Sequence, residues 1–158
     1  NNFKYLESKY LYFIAIGDNK IRIRKSQLLN SRNLKQINVI HPDTSISNSL
    51  KIGYGNFLSR NVSINNSVEI SNNVVINTSA VIEHECKIET GSHIAPGAVI
   101  CGGVTIKKGA FIGANSIVKE NICIGQNAIV GAGSVVLKNI PDNSIVFGNP
   151  SKIKNVRK

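Results

Sequence analysis

The residues best equipped for chemistry stand together at Glu83-His84-Glu85, directly before Cys86. An imidazole between two carboxylates has the make-up of a general base. A nearby carboxylate raises the basicity of the ring and can fix which nitrogen carries the proton. Proton abstraction near neutral pH needs such a group. A solvated histidine with incidental acidic neighbours has the same local sequence, and the five residues alone leave both readings open. The other imidazoles are His41 and His93. The cysteines (Cys86, Cys101, Cys123) are odd in number and show no metal-ligand spacing.

What must position these residues is a repeat. From Ile40 to Val136 an aliphatic residue returns at every sixth position, through Ile46, Ile52, Leu58, Ile64 and onward without a miss. Two positions before most of them sits a small or β-branched residue, such as Val62, Val68, Ala80, Cys86, Ser92 or Ala98. A helix would need apolar steps of three and four, and hairpins would break phase at each turn. A solenoid with one side per six residues keeps the phase. Three sides close a triangular coil of eighteen residues, so the run holds about five coils, each strand pairing with its copy one coil away at roughly 4.8 Å. The aliphatics point to the axis, and Cys86 falls on an inward position as a small hydrophobe. Corners such as Asn65-Asn66 and Asn72-Asn73 suit backbone with φ > 0. The fold class expected is mainly β, a parallel β-helix of hexapeptide repeats preceded by a partial α/β, Rossmann-like segment.

Three units are expected: residues 1–40, 41–140 and 141–158. In the first, residues 1–9 give no firm element, and Tyr10 to Ile16 reads as a buried strand ended by Gly17-Asp18-Asn19. Lys20 to Asn30 reads as a helix capped by Asn19 or Asp18, and Gln36 to Ile40 as a second strand. This is half of a doubly wound nucleotide-binding unit, with no glycine-rich phosphate loop before it. His41-Pro42 marks the hand-over to the solenoid. After Val136 the phase is lost, Ile145 to Phe147 reads as a short strand, and the basic tail from Ser151 folds back or frays. The chain contains no methionine, so Asn1 is expected not to be the natural start.

Composition narrows the partners. The 158 residues carry 19 Lys+Arg against 9 Asp+Glu, a formal net charge of +10, which points to anionic partners. The basic residues are scattered apart from Lys152, Lys154, Arg157 and Lys158, and no aromatics are interleaved as stacking platforms. Phosphorylated small molecules are favoured over nucleic acid. No run is long and apolar enough to span a membrane, no signal segment opens the chain, and unpaired cysteines suit the cytoplasm.

The run Asn77 to Cys86 (NTSAVIEHEC), then Ser92-His93-Ile94-Ala95-Pro96-Gly97, then Gly102-Gly103-Val104, resembles the hexapeptide-repeat nucleotide-sugar acetyltransferases. These include the bacillosamine-type UDP-4-amino-sugar N-acetyltransferases and the sialic acid O-acetyltransferase relatives. Phe13 to Arg22 (FIAIGDNKIR), Ile40-His41-Pro42, and Phe147-Gly148-Asn149-Pro150 with Lys152 extend the likeness over nearly the whole chain. The resemblance implies a left-handed coil and acetyl-CoA as co-substrate, with no metal. By it, His84 is the general base and Glu85 the acid that raises its basicity. His93, Ala114 and Ala132 meet acetyl-CoA, the alanines through backbone groups, while Gly17 and Asn77 meet the sugar substrate. It also implies a homotrimer with the thioester groove between neighbouring prisms. The first strand and glycine-rich turn of that family have no counterpart ahead of Gly17, which bears on the nucleotide pocket.

The reaction expected is direct acetyl transfer to a sugar amine or hydroxyl, the sugar nucleotide-activated or sialic-acid-like. Two rivals stand beside it. One is an inactive binding or scaffold subunit. The other is a γ-carbonic-anhydrase-like enzyme, which would hold zinc by three histidines across an interface. Against the latter, His84 and His93 are half a coil apart and so lie on different sides of one prism.

Overall fold

The structure is a computed structural model that describes residues 6–156. Seventeen strands of two residues each run from Val39–Ile40 to Val135–Val136. Each pairs in parallel with the strand eighteen residues away, as in Val75↔His93↔Phe111 and Ile76↔Ile94↔Ile112. The strands form three sheets around a triangular prism. The first face carries Phe57–Leu58, Val75–Ile76, His93–Ile94, Phe111–Ile112 and Ile129–Val130. The second carries Ser63–Ile64, Val81–Ile82, Val99–Ile100, Ile117–Val118 and Val135–Val136. The third carries Lys51–Ile52, Glu69–Ile70, Lys87–Ile88, Thr105–Ile106 and Cys123–Ile124. The fold is the left-handed hexapeptide β-helix expected from the sequence.

The axis is filled as the period requires. Ile76, Ile82, Ile94, Ile100, Ile106 and Ile112 are wholly buried, as are Val68, Val74, Ala80, Cys86 and Ala98, each two positions ahead of a member of the series. Burying such an aliphatic side chain contributes roughly 1.5–3 kcal/mol, so each coil is held by several such terms. The first coil departs from the expectation: Ile40 is 42% exposed, and Ile46 and Ile52 are only partly buried. A coil at the end of a prism has a neighbour on one side only. The left-handed corner residue also falls one place later than expected at Asn65-Asn66, on Ser67 with φ of 58°, whereas at Asn72-Asn73 it is Asn73.

Helix α1 (Asn19–Asn30) begins one residue before the expected Lys20 and is capped by Asp18, whose carboxylate accepts from the Ile21 N–H at 2.8 Å. Its buried face is Arg22, Ser26 and Leu29, spaced by four and three, and it lies along the edge between the third and first faces. The strands expected beside it are corrected. Of Tyr10 to Ile16, only Tyr12 pairs, in a single parallel bridge with Gln36, and Tyr10 and Leu11 are exposed. The second strand starts at Val39 because Asn38 is drawn into the first coil, its side chain donating to Gly53 O and accepting from Asn56 N. At the far end, Ser144–Phe147 continues the first face and Lys152–Val156 folds back on it antiparallel. Residues 1–5, and Arg157 and Lys158 of the basic tail, lie outside the described residues. No helix among the described residues is long and apolar enough to cross a membrane.

Candidate active site

His84 and Glu85 occupy the edge between the second and third faces. Nδ1 of His84 lies 3.0 Å from a Glu85 carboxylate oxygen. A carboxylate only accepts, so Nδ1 carries the proton in this pair and Nε2 is left as the basic nitrogen. Glu83, the other acid, is turned away and accepts from Asn65 Nδ2 at 2.9 Å. The ring is more than half exposed. Cys86 beside it is buried, and burial pushes its thiol up to about 11. A thiol so protonated is no nucleophile at neutral pH.

Glu85 itself is unusual. Its φ is +60°, a conformation that costs a residue with a β-carbon roughly 1–2 kcal/mol. The other described non-glycine residues with positive φ are all Asn or Ser. A glutamate at this corner meets no demand of the backbone.

Gly17, Asn77 and His93 come together elsewhere. They line a cavity of about 230 Å³ between the segment Phe13 to Gly17 and the first face, walled by Phe57 and Val75. Both ring nitrogens of His93 are buried, and neither makes a hydrogen bond of standard geometry among the described residues. Burial holds the His93 imidazole below its ordinary pKa, the Arg22 charge acts the same way, and the Gly17 backbone offsets part of this. The ring packs edge-on to Phe111 with centroids 5.1 Å apart. A β-carbon at Gly17 would meet nothing, so the turn before α1 faces open space. A second cleft of about 400 Å³ continues from Gly17 to Lys20 along Gly109 and Asn127.

Ala114 and Ala132 stack on the edge between the first and second faces, where the Gly133 N–H donates to Ala114 O at 2.8 Å. This is the edge that holds Asn77, two coils from Ala114's neighbour Gly113. The N–H groups of Ala114 and Ala132 have no partner among the described residues. His84 and the group of Asn77, Ala114 and Ala132 therefore flank the second face from its two opposite edges and do not meet within one chain.

The family pattern for bacterial transferase hexapeptides (six repeats) matches residues 67–102 and 103–138. Among solved structures, PerB from Caulobacter crescentus, in complex with CoA and GDP-perosamine, is 35% identical with a TM-score of 0.91. The match covers 92% of this chain and 70% of that one. The chain belongs to the hexapeptide-repeat nucleotide-sugar acetyltransferases. The acetyltransferase domain of PglB from Neisseria gonorrhoeae FA1090, in complex with acetyl coenzyme A, is 28% identical over 97% of this chain and 75% of that one, with a TM-score of 0.93. WeeI from Acinetobacter baumannii AYE is 28% identical over the same shares, with a TM-score of 0.91. None of the curated proteins matches the chain.

One residue of this acetyltransferase went unnoticed in the sequence. Arg22 is 1% exposed. Its guanidinium donates to Ile16 O and Gly17 O at 2.9 Å, to Asn73 O and Gly91 O at 2.9 Å, and to Asn19 Oδ1 at 2.8 Å. Burial lowers its pKa to about 10, still far above neutrality, so a full positive charge is solvated by backbone carbonyls. Arg22 thus pins the Gly17 turn against the coils that carry His93. The glycines below α1 were the available signal: a β-carbon at Gly91 would come within 2.3 Å of Ile23, which marks the edge where a helix approaches.

Proposed function

We propose that this acetyltransferase moves the acetyl group of acetyl-CoA to an amine of a nucleotide-activated sugar, with His84 as the general base. The observation that carries this reading is the His84–Glu85 pair, held by a glutamate in a backbone conformation that glycine or asparagine would adopt at lower cost. Nitrogen rather than oxygen as the acceptor is favoured by the similar enzymes, which include a GDP-perosamine N-acetyltransferase from Caulobacter crescentus.

In this reaction the acceptor amine forms the new C–N bond to the thioester carbon while Nε2 of His84 takes its proton. The carbonyl oxygen takes up negative charge, and the C–S bond then breaks as the proton passes to the departing CoA sulfur. The Gly102 N–H, one coil from His84 and without a partner among the described residues, is suited to stabilising that oxyanion. The free N–H groups of Ala114 and Ala132 suit the amide-bearing arm of acetyl-CoA, and His93, paired with Phe111 on the first face, is read as a further contact to that co-substrate. Gly17 and Asn77 belong to the sugar side, and residues 1–40 contribute the nucleotide-sugar part.

The working unit in this reading is a homotrimer in the cytoplasm. The first face is covered by the N-terminal segment, and the third presents Lys51, Glu69 and Lys87. The second presents Val81, Val99, Ile117 and Val135, with Ile117 43% exposed. If three second faces surround a threefold axis, each copy's His84 edge meets the Asn77–Ala114–Ala132 edge of the next. That closes the gap between the two halves of the site.

His84→Ala tests the base. The expected result is a kcat lower by roughly 10²–10⁴ with acetyl-CoA affinity retained. Near-normal kcat at saturating amino-sugar nucleotide would sink the assignment.

A further inference from the structure

We infer that Gly102 is a positioning residue for His84, its missing side chain leaving the room that the imidazole occupies in this orientation. The inference rests on the reading of His84 as the base. Gly102 stands one coil above His84 on the same edge. A β-carbon added to it would lie 2.6 Å from Cε1, 2.6 Å from Nε2 and 3.2 Å from Nδ1 of the ring. Real β-carbon contacts are not so short, so ring or backbone would have to move.

The backbone does not ask for glycine at this position. Gly103 has a φ of +69°, whereas Gly102 is outside the left-handed region. Nor does the edge ask for it. The same column carries Asn66 one coil below His84 and Glu120 one coil above Gly102, so ordinary side chains fit at those levels. Glycine stands at the level where the imidazole overlies the next coil. With Glu85 bonded to Nδ1 on one side and the bare Cα of Gly102 on the other, the ring is confined so that Nε2 faces along the edge.

The test is Gly102→Ala alone and combined with His84→Ala. It is read by steady-state kinetics, thermal melting and NMR of the histidine ring nitrogens and the Nδ1 proton. The single variant is expected to lower kcat at least tenfold, to leave KM for acetyl-CoA within twofold, and to lose the signature of the Nδ1–H bond to a carboxylate. In the His84→Ala background the same change is expected to cost nothing further. Should Gly102→Ala fail to fold, recovery of the fold by the added His84→Ala would support the clearance, and failure to recover would refute it. An unchanged ring signature in a folded Gly102→Ala, or an equal further loss of kcat without His84, overturns the inference, the latter because the added methyl would then act on the oxyanion N–H of Gly102 and not on the imidazole. If His84→Ala alone keeps its kcat, the base assignment fails, and the ring signature still decides whether Gly102 seats the imidazole.

Discussion

Glu85 reaches Nδ1 of His84 at 3.0 Å from a corner where its own backbone is left-handed, with φ of +60°. The contact and the strain belong to the same residue, so they can be traded against each other by one substitution.

Glu85→Gly is expected to raise stability and lower activity together. Relief of the left-handed β-carbon is worth about 1 kcal/mol, or a Tm increase of roughly 2–4 °C for a chain of this size. The base loses its orienting partner, and kcat is expected to fall about tenfold or more. Calorimetry and kinetics on the same preparation check it, and a lower Tm would mean that the corner carries no strain.

Arg22→Met keeps an unbranched, flexible stem and removes the guanidinium with its charge. Several carbonyls around it lose their donor, and bonds to charged groups contribute roughly 1.5–3 kcal/mol each. The expected outcome is local: α1 and the Gly17 turn exchange amide hydrogens faster, while the coils between Ile64 and Val130 keep their protection. Uniform loss of protection along the prism would show that Arg22 supports the whole fold instead.

His93 gives a pH dependence with a definite sign. Its folded pKa is lowered from the ordinary 6.5 by burial and by Arg22. The unfolded chain therefore takes the proton first as pH falls. Its contribution to stability is complete above pH 6.5 and is lost progressively below it. His93→Gln is expected to flatten the fall of Tm below pH 6.5. If both proteins show the same slope, the loss has another source.

Ile117→Lys places a charge in the middle of the second face, away from both edges. If that face joins three copies, light scattering should report a monomer, and activity should fall although the His84–Glu85 pair is untouched. A fully active monomer would sink the shared site while leaving the fold alone.

The prism was legible in the sequence because a solenoid is a one-dimensional repeat. Each aliphatic in the series marks the axis on its own, so Ile64 to Val136 could be placed without knowing any other contact. His84 and Glu85 were legible because the pair is adjacent in the chain. Arg22 was not, since it bonds to carbonyls 51 and 69 residues away, and nothing local sets it apart from Arg24. The apolar run Tyr10 to Ile16 misled for a related reason. Phe13 and its neighbours cover the first face with side chains, Phe13 reaching Phe57 at 6.2 Å between ring centroids, and the run pairs only once through its backbone. The seat on Gly102 needed the direction of the His84 ring, which no spacing rule supplies.

The reversed strand Lys152–Val156 has a consequence for crowded solutions of this protein. A stack of parallel coils has a polarity, and a bare terminal coil would invite another molecule to continue it, as growing fibres do. Along the first face the last strand runs against that polarity, and Lys152 and Lys154 stand exposed on it. A second molecule arriving there finds the wrong strand direction and a row of positive charge. Addition of monomers end to end is thereby discouraged, and the size of the particle is left to contacts across its sides.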